Sequence, residues 1–256
     1  MVRENTLRRK LAAGGTALGP FMNCSYGAFI EAAGLAGFDY AIIDTEHGPL
    51  SIETAEDLCR AAQGAGLAPI VRVRANEPSL IQRALDIGSA GVQVPQIETS
   101  DDAEAVVRSA RYAPLGRRGL SYYTRAGDYA IHGTTGVTDA LNREQLVIIH
   151  VEGVRGLENL DGILAVDGID VVFLGPYDLS QSFGIPGQVN DPRVVEGMEE
   201  ATRRIRAAGR WAGTFAADPA TAQRWIDLGV QYISLGVDVG IFATACRDLV
   251  EKVRKQ

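Results

Sequence analysis

Short apolar runs alternate with longer amphipathic stretches along the whole chain. Runs such as Ala41-Ile42-Ile43 and Leu146-Val147-Ile148-Ile149 are apolar at successive positions, which is typical of strands buried on both faces. The pattern predicts eight strands, which are Ala17–Met22, Tyr40–Asp44, Pro69–Val73, Gly91–Pro95, Leu146–Glu152, Val171–Gly175, Trp211–Phe215 and Tyr232–Gly236.

The stretches between these strands carry helix signals. Asp191 and Asp218 each precede a proline, which is an N-cap pattern, and Asn76 is the predicted N-cap of an earlier helix. The predicted helices are Ser51–Ala65, Glu77–Ile87, Ser100–Ala110, Pro192–Ala208 and Pro219–Leu228.

Eight strands with helices between them favour an α/β fold of the (β/α)8 TIM-barrel type. The length of 256 residues suits one such barrel, so we expect a single domain over residues 1–256. An open doubly wound sheet is the main alternative. Such a sheet usually has fewer strands and a glycine-rich first turn, whereas the first turn here is Asn23-Cys24-Ser25-Tyr26-Gly27.

The longest irregular stretch is predicted at about Tyr112–Arg143, between the fourth and fifth strands. Loops of this length in compact domains tend to be functional. We expect this loop to emerge at the carboxyl-terminal face of the barrel, where active sites lie.

Composition narrows the classes of partner and compartment. A net charge of −7 argues against nucleic acid, and no apolar run is long enough to cross a membrane. The first five residues contain charges but no apolar signal core, so export is not expected. The odd count of three cysteines, without a CxxC motif, fits a reducing cytoplasm.

The lysines are confined to positions near the ends of the chain, at Lys10, Lys252 and Lys255. A Schiff-base aldolase or a pyridoxal enzyme needs a lysine in its site. Carbanion chemistry in this chain would therefore require a metal ion or another electrophile.

Polar residues at the ends of predicted strands are candidates for chemistry, because these ends meet at one rim of a barrel. Glu152 and Asp178 are the best metal pair, since two carboxylates with room for water and substrate suit Mg²⁺ or Mn²⁺. The alternative is that each carboxylate only caps the helix that follows it.

Arg72 interrupts an apolar strand and needs an anionic partner. That partner is either a substrate carboxylate, bound through two hydrogen bonds, or Asp44 or Glu46. His47, beside Asp44 and Glu46, is the candidate general base, and Asp44 is grouped with it as catalytic.

His150 lies two residues before Glu152, so both side chains should lie on the same side of their strand. His150 is a candidate for binding substrate or joining the metal site. The alternative is that His150 fills the barrel and has no chemical role.

These residues resemble the HpcH/HpaI aldolases, which are class II pyruvate aldolases. The resemblance rests on Asp44-x-Glu46-His47, Arg72, Glu152 and Gly175-Pro176-x-Asp178-Leu179-Ser180, in that order. It runs over nearly the whole chain, with further matches at Gly34–Asp39, Asp86-Ile87-Gly88, Arg117-Arg118-Gly119 and Gly236-Val237-Asp238.

The resemblance implies a divalent cation, Mg²⁺, Mn²⁺ or Co²⁺, bound by Glu152 and Asp178. It implies that Arg72 holds the carboxylate of pyruvate and that His47 acts as base, paired with Asp86. Because Asp86 should lie on the far rim of its own barrel, it would reach His47 only from a neighbouring subunit. Members of the family are commonly hexamers built as trimers of dimers, so a homo-oligomer is expected.

The implied substrate site consists of Arg72, His150, Gly175, Pro176, Tyr177 and Phe215. His150 stands where better-known members have Gln, Tyr177 replaces a small Ala, and Phe215 replaces an aliphatic residue on the aldehyde side. These departures concern the acceptor aldehyde more than the chemistry. The loop Gly119–Tyr129, with Tyr122, Tyr123 and Arg125, is a further candidate for selecting the acceptor.

The resemblance implies reversible cleavage of a 4-hydroxy-2-keto acid to pyruvate, or hydroxypyruvate, and an aldehyde, through a metal-stabilised enolate. One alternative is a carbon–carbon lyase of the citrate lyase type that acts on an acyl-CoA thioester. Such an enzyme needs a basic patch for the CoA phosphates, and the sequence offers only scattered arginines such as Arg117 and Arg118. Another alternative is a non-catalytic barrel that binds a metabolite for regulation.

Overall fold

The computed structural model describes residues 2–254 and forms a closed parallel barrel of eight strands in sequence order. The predicted (β/α)8 fold is therefore confirmed. The strands are β1 (Ala17–Met22), β2 (Tyr40–Asp44), β3 (Ala68–Arg72), β4 (Gly91–Val94), β5 (Leu146–Val151), β6 (Val171–Leu174), β7 (Trp211–Ala216) and β8 (Tyr232–Val237).

Helices connect the strands around the outside of the barrel. The helices are α1 (Thr6–Ala12), α2 (Gly27–Leu35), α3 (Ile52–Gly64), α4 (Pro78–Asp86), α5 (Ser100–Ala110), α6 (Val137–Glu144), α7 (Val154–Glu158), α8 (Leu160–Leu164), α9 (Pro176–Ser182), α10 (Pro192–Ala207), α11 (Pro219–Asp227) and α12 (Asp238–Arg254), with a 3-10 segment at Arg125–Ala130. None of the helices in the described part of the chain combines the length and hydrophobicity needed to cross a lipid bilayer.

Most predicted boundaries agree with the observed ones to within one residue. Asp191 and Asp218 cap α10 and α11 through their side chains, as predicted. The predicted cap at Asn76 is wrong, because α4 follows Glu77, and the Asn76 amide instead donates to the carbonyl oxygen of Asp102 at 3.0 Å. A polar residue just before a helix can thus hydrogen-bond to a different helix instead of capping its own.

Alternate strand residues point into the barrel and form a core separate from the core beneath the helices. The buried rings of Tyr40 and Tyr232 stack at 4.3 Å in this interior. Gly19 and Gly213 make room for them, since an added Cβ would come within 2.6 Å of Tyr40 carbons or 2.9 Å of the Tyr232 ring. Leu7 and Leu11 of α1 pack into the same core from the amino-terminal end of the barrel.

At the carboxyl-terminal end of the barrel, the inward-pointing positions of the strands are polar. Going up β2 and β3, buried Ile42 and Ile70 are followed two residues later by Asp44 and Arg72. Asp44 pairs with Arg72 in the strand register, and Arg72 pairs with Gln93 of β4. The barrel thus places a row of polar side chains at its carboxyl-terminal mouth.

The predicted position of the long connection between β4 and β5 is wrong. The segment follows α5 and precedes β5, so it returns to the amino-terminal face of the barrel. Arg125 confirms this placement, because it donates to the carbonyl oxygen of Ile87 at 3.1 Å, just before β4 begins. The segment is also more regular than expected, since it contains the 3-10 turn and α6.

Candidate active site

A cavity of about 430 Å³ opens at the carboxyl-terminal ends of the strands. The predicted catalytic, substrate and metal residues meet in its wall, with the exception of Asp86. The lining residues are Phe21, Asn23, Asp44, His47, Arg72, His150, Glu152, Phe173, Gly175, Pro176, Tyr177, Asp178, Phe215 and Val237.

Arg72 is held by two carboxylates of the β2 end. Its Nε and Nη2 donate to the two oxygens of Asp44 at 2.8 and 2.7 Å, and its Nη1 lies 3.0 Å from Glu46. Burial alone would lower the pKa of Arg72, but Asp44 and Glu46 outweigh burial and raise it. The internal partners considered from the sequence are therefore present. Two of the five guanidinium N–H groups donate to Asp44, and Arg72 also lines the cavity, where its remaining N–H groups could receive a ligand.

Asp44 also shapes the turn that carries His47. Its Oδ1 accepts hydrogen bonds from the backbone N–H groups of Glu46 at 3.0 Å and His47 at 3.4 Å. Gly48 completes this turn, because a Cβ there would lie only 2.3 Å from the Asp44 carbonyl oxygen. The His47 side chain is exposed at the mouth of the cavity.

Glu152 is fixed through both of its carboxylate oxygens. His150 Nδ1 donates to Oε2 at 2.9 Å, and the backbone N–H of Gln96 donates to Oε1 at 2.8 Å. Gln96 has φ of 59°, a strained conformation for a residue with a side chain, which aims its N–H at the carboxylate.

A buried chain of hydrogen bonds supports His150 from below. The Gln93 amide is bonded to His150 Nε2, and the hydroxyl of Tyr232 donates to Gln93 Oε1 at 3.0 Å. Since a carboxylate can only accept, His150 carries its proton on Nδ1 and its Nε2 accepts from Gln93. The ring also stacks on Phe173 with centroids 4.4 Å apart. As predicted, His150 and Glu152 lie on the same side of β5.

Gly175 brings the second carboxylate next to the first. A Cβ built on Gly175 would lie 2.9 Å from Glu152 Oε2 and 3.8 Å from Asp178 Oδ2, so both oxygens lie within 3.8 Å of one point. Pro176 begins α9 directly after Gly175, which places Asp178 in the first turn of that helix. The two carboxylates therefore lie on either side of Gly175, at the same edge of the cavity.

The carboxylates of the mouth influence one another. Burial raises the pKa of Asp178, and the neighbouring Glu152 raises it further. Burial also raises the pKa of Glu46, against the opposing effect of Arg72. For Glu152 burial is again the largest effect, but His150, the Gln96 N–H and Arg72 together outweigh it and lower the pKa. Negative charge on Asp178 is unfavourable beside an ionised Glu152, and a bound cation would offset this repulsion.

The donor set fits a hard divalent cation that keeps open positions. Within residues 2–254, no cluster of three or more His, Cys, Asp and Glu side chains is arranged as a complete metal cage. Two carboxylates at a cavity mouth are the arrangement expected when water and substrate complete the coordination, as for Mg²⁺.

Asp86 lies outside this cavity. It ends α4 on the amino-terminal side of the barrel, where Arg118 donates to its Oδ1 at 2.5 Å. Its placement on the far rim agrees with the expectation from the sequence. Within one chain, therefore, Asp86 does not meet His47.

The two lysines in the described part of the chain are also remote from the cavity wall. Lys10 pairs with Asp39 at 2.5 Å near the amino-terminal end of the barrel, and Lys252 lies in α12. Lys255 falls outside the described residues.

Sequence reasoning missed Gln93, Gln96 and Phe21. Gln93 had a readable signal, since it is a polar residue between two valines in a predicted strand, as Arg72 is. Phe21 had none, because an aromatic residue in an apolar strand is usually core. Gln96 contributes through its backbone, which a side-chain search does not detect.

The family model of the HpcH/HpaI aldolase/citrate lyase family matches residues 18–245. The chain belongs to this family. Its membership confirms the resemblance found in the sequence and the expected class of enzyme, a carbon–carbon lyase of the aldolase type.

Similar proteins cover nearly the whole chain. A hydroxypyruvate/pyruvate aldolase of Cupriavidus necator is 37% identical over 257 residues, which cover 100% of this chain and 95% of that protein. A 5-keto-4-deoxy-D-glucarate aldolase of Escherichia coli is 35% identical and covers 99% of this chain and 98% of its own. The crystal structure of an HpcH/HpaI aldolase/citrate lyase family protein from Burkholderia cenocepacia is 33% identical, with a TM-score of 0.92 and coverage of 98% and 99%.

Proposed function

We propose that this family member is a metal-dependent class II pyruvate aldolase. It would reversibly cleave a 4-hydroxy-2-keto acid to pyruvate, or hydroxypyruvate, and an aldehyde. The observation that carries the proposal is the convergence of Glu152 and Asp178 on one point, in the same cavity as Arg72. The names of the Cupriavidus and Escherichia relatives support the same class of reaction.

Glu152 and Asp178 would hold the divalent cation, which we expect to be Mg²⁺, Mn²⁺ or Co²⁺. When bound, the cation would supply the electrophile that stabilises negative charge on the keto oxygen of the substrate. Glu152 is the rigid member of the pair, because His150 and Gln96 fix both of its oxygens. Asp178, exposed at the mouth, is free to adjust as a ligand enters.

Arg72 would bind the carboxylate of the 2-keto acid with the N–H groups that Asp44 and Glu46 leave open. A guanidinium fixed on both sides loses little freedom when the substrate binds, so it orients the keto acid at small entropic cost.

In condensation, His47 would take the C3 proton as the enolate forms; in cleavage, it would deliver a proton to C3 of the enolate that bond breaking leaves. A histidine ring can both accept and donate a proton, so it is suited to move one in both directions. Asp44 positions the ring through the turn that it caps, which is a positioning role.

We further propose that the working form is an oligomer, a hexamer built as a trimer of dimers, in which Asp86 of one subunit pairs with His47 of the next. The last helix supports assembly, since α12 exposes a set of large apolar side chains: Val239, Ile241, Phe242, Leu249, Val250 and Val253. An isolated protein seldom leaves that much apolar surface on one element. The free cysteines among the described residues fit a cytoplasmic setting.

A mixing experiment tests the shared site. His47→Asn and Asp86→Asn should each be inactive alone, but denaturing and refolding them together should restore part of the activity. In a mixed oligomer, an intact His47 meets an intact Asp86 from the neighbour. Each variant refolded alone is the control, and a mixture as inactive as its parents would refute the shared site.

The alternative, a lyase that acts on an acyl-CoA thioester, would need basic residues such as Arg117 and Arg118 to bind the CoA phosphates at the active site, and the structure does not support this. Arg118 is buried on the amino-terminal side and is engaged by Gln145 and Asp86. The lining of the cavity includes one arginine, Arg72, and no lysine. A basic patch for CoA phosphates is therefore absent from the lining.

The proposed activity is tested by mixing pyruvate or hydroxypyruvate with a panel of aldehydes in the presence of Mg²⁺, Mn²⁺ or Co²⁺. Mass spectrometry should detect 4-hydroxy-2-keto acids with the wild type and none with Glu152→Gln or Asp178→Asn. A parallel incubation with acetyl-CoA and keto acids covers the alternative. Condensation from the thioester, without any from pyruvate and aldehyde, would overturn the proposal.

A further inference from the structure

The cavity has two dissimilar walls. Strands β2, β3 and β5 and the turns that follow them supply the polar wall, with Asp44, His47, Arg72, His150 and Glu152. The opposite wall comes from β1, β6, β7 and β8. Its polar members are Asn23 and Asp178, and its apolar and aromatic members are Phe21, Phe173, Pro176, Tyr177, Phe215 and Val237.

Three aromatic rings connect the two functional ends of the site. The Arg72 guanidinium carbon lies 4.5 Å from the centroid of the Phe21 ring, and Phe21 lies 6.2 Å from Phe215. Phe215 in turn contacts Tyr177 in an edge-on arrangement at 5.8 Å, and Tyr177 directly precedes Asp178. The rings therefore form a continuous arc from the carboxylate anchor to the proposed metal ligand.

The charges of the lining argue in the same direction. Arg72 is the one lysine or arginine among the lining residues, and Asp44 and Glu46 already balance its charge. A 2-keto acid would occupy its open N–H groups. Within one subunit, a second carboxylate on the other reactant would find no lysine or arginine along the aromatic arc, and burying an unpaired charge is costly.

We propose that the acceptor is an uncharged aldehyde with an aromatic or branched apolar body, held against Phe21, Tyr177 and Phe215. This inference rests on the proposed aldolase function. In condensation, C3 of pyruvate gives up a proton, its electron pair forms the bond to the aldehyde carbon, and the aldehyde oxygen takes up a proton. Cleavage reverses each of these transfers.

The apolar arc determines where the aldehyde substituent goes. With the keto acid against the polar wall, the group attached to the aldehyde carbon projects toward the rings. Burial of its apolar surface favours binding, and the aromatic edges and faces pack well against another ring. The Tyr177 side chain is about half exposed, so the ring has room to move over a ligand bound in the cavity.

Matched pairs of aldehydes test the inference with the whole protein, pyruvate and Mg²⁺. Benzaldehyde is compared with 4-carboxybenzaldehyde, and isobutyraldehyde with glyceraldehyde. We expect kcat/KM to be at least about tenfold higher for the uncharged, apolar member of each pair, the range typical of a poorly matched group in an apolar pocket. Equal values, or a preference for the carboxylated or hydroxylated member, would overturn the inference.

A pair of variants links the preference to the arc. Phe215→Leu should lower kcat/KM for benzaldehyde by roughly tenfold and affect glyceraldehyde less, because the leucine provides no ring to stack on. Phe38→Leu makes the same change in the turn before β2, outside the barrel and away from the cavity, and should leave the ratio unaltered. An unchanged benzaldehyde-to-glyceraldehyde ratio in Phe215→Leu would contradict the assignment.

One further readout separates this inference from the function on which it rests. Deuterium uptake into the methyl group of pyruvate needs only the keto acid half of the site. Without any uptake, the aldolase proposal and the acceptor inference fail together. With uptake and a preference for charged aldehydes, the aldolase proposal stands and only the acceptor inference is refuted.

Discussion

Arg72 shows how one residue can be structural and available for function at once. It is nearly buried, bonded on one edge to Asp44 and close to Glu46 on another, and it faces the cavity. Removing it would leave two carboxylates without their cation, which typically costs about 3–5 kcal/mol in buried pairs. A loss of function in an alanine variant would therefore not isolate substrate binding.

Arg72→Lys is the more informative change. Lysine keeps the positive charge but cannot form paired parallel hydrogen bonds to a carboxylate. We expect KM for pyruvate to rise by roughly tenfold or more, with a smaller change in the denaturation midpoint. Titration of pyruvate in steady-state assays and in calorimetry provides the measurement, and an unaltered pyruvate affinity would contradict the proposed role.

His150 is expected to act on the metal through Glu152. Replacing it with Leu should weaken Mn²⁺ binding by about 10–100-fold, because supporting hydrogen bonds orient metal ligands. His150→Gln preserves a donor toward Glu152 and should retain most of the affinity. Calorimetric titration of the two variants with Mn²⁺ checks this prediction, and a leucine variant with wild-type affinity would refute it.

Gly175 connects the geometry of the β6–α9 turn to the metal site. A methyl group there would lie 2.9 Å from both Cβ and Oε2 of Glu152, so the glutamate would have to move. Gly175→Ala should therefore lower Mn²⁺ affinity by at least tenfold, measured by calorimetry. Gly162→Ala in α8 is a matched control, because its new Cβ would meet only Ser100 at 3.9 Å. Equal metal affinity in the two variants would show that Gly175 is not needed for this geometry.

At the level of elements, the sequence predicted what short-range patterns encode. Strands buried on both faces appear as apolar runs, and Asp191 and Asp218 mark their helices because capping is local. The residues at the strand ends could be gathered at one rim because parallel strands all point one way.

The errors arose where position depends on the other elements. The segment after α5 is expected at the carboxyl-terminal face, but it connects a helix to a strand, and such a connection lies at the opposite face. Asn76 is predicted to cap the helix that it precedes, but its side chain binds the carbonyl oxygen of Asp102 in helix α5. The contribution of Gln96 depends on a positive φ, which residue types do not reveal.

The whole molecule buries titratable groups that make its stability sensitive to high pH. Burial raises the pKa of the Cys59 thiol from 9.0 to about 12, and the pKa values of Tyr40 and Tyr232 are raised well above 10.0 by burial. Between its unfolded and its folded pKa, each group is protonated in the fold and ionises on unfolding. Their stabilisation is fully present below the unfolded pKa values and is lost as pH rises toward the folded ones.

We therefore expect the free energy of unfolding to fall from about pH 9 upward, by as much as ~1.4 kcal/mol per pH unit for each group. In Cys59→Ala, the free energy of unfolding should fall less steeply between about pH 9 and pH 12, by up to ~1.4 kcal/mol per pH unit. At pH 7 the stability of this variant should change only through packing. Denaturant titrations across this range provide the test. A Cys59→Ala slope identical to that of the wild type would contradict the assignment.

The central claim is that Glu152 and Asp178 hold a cation that allows pyruvate to lose a proton. The most direct measurement is deuterium uptake into the methyl group of pyruvate in heavy water, read by mass spectrometry without any aldehyde. We predict metal-dependent uptake by the wild type, abolished by EDTA, restored by added Mg²⁺ or Mn²⁺, and absent in Glu152→Gln. Uptake that continues undiminished in EDTA, or in Glu152→Gln, would contradict the account.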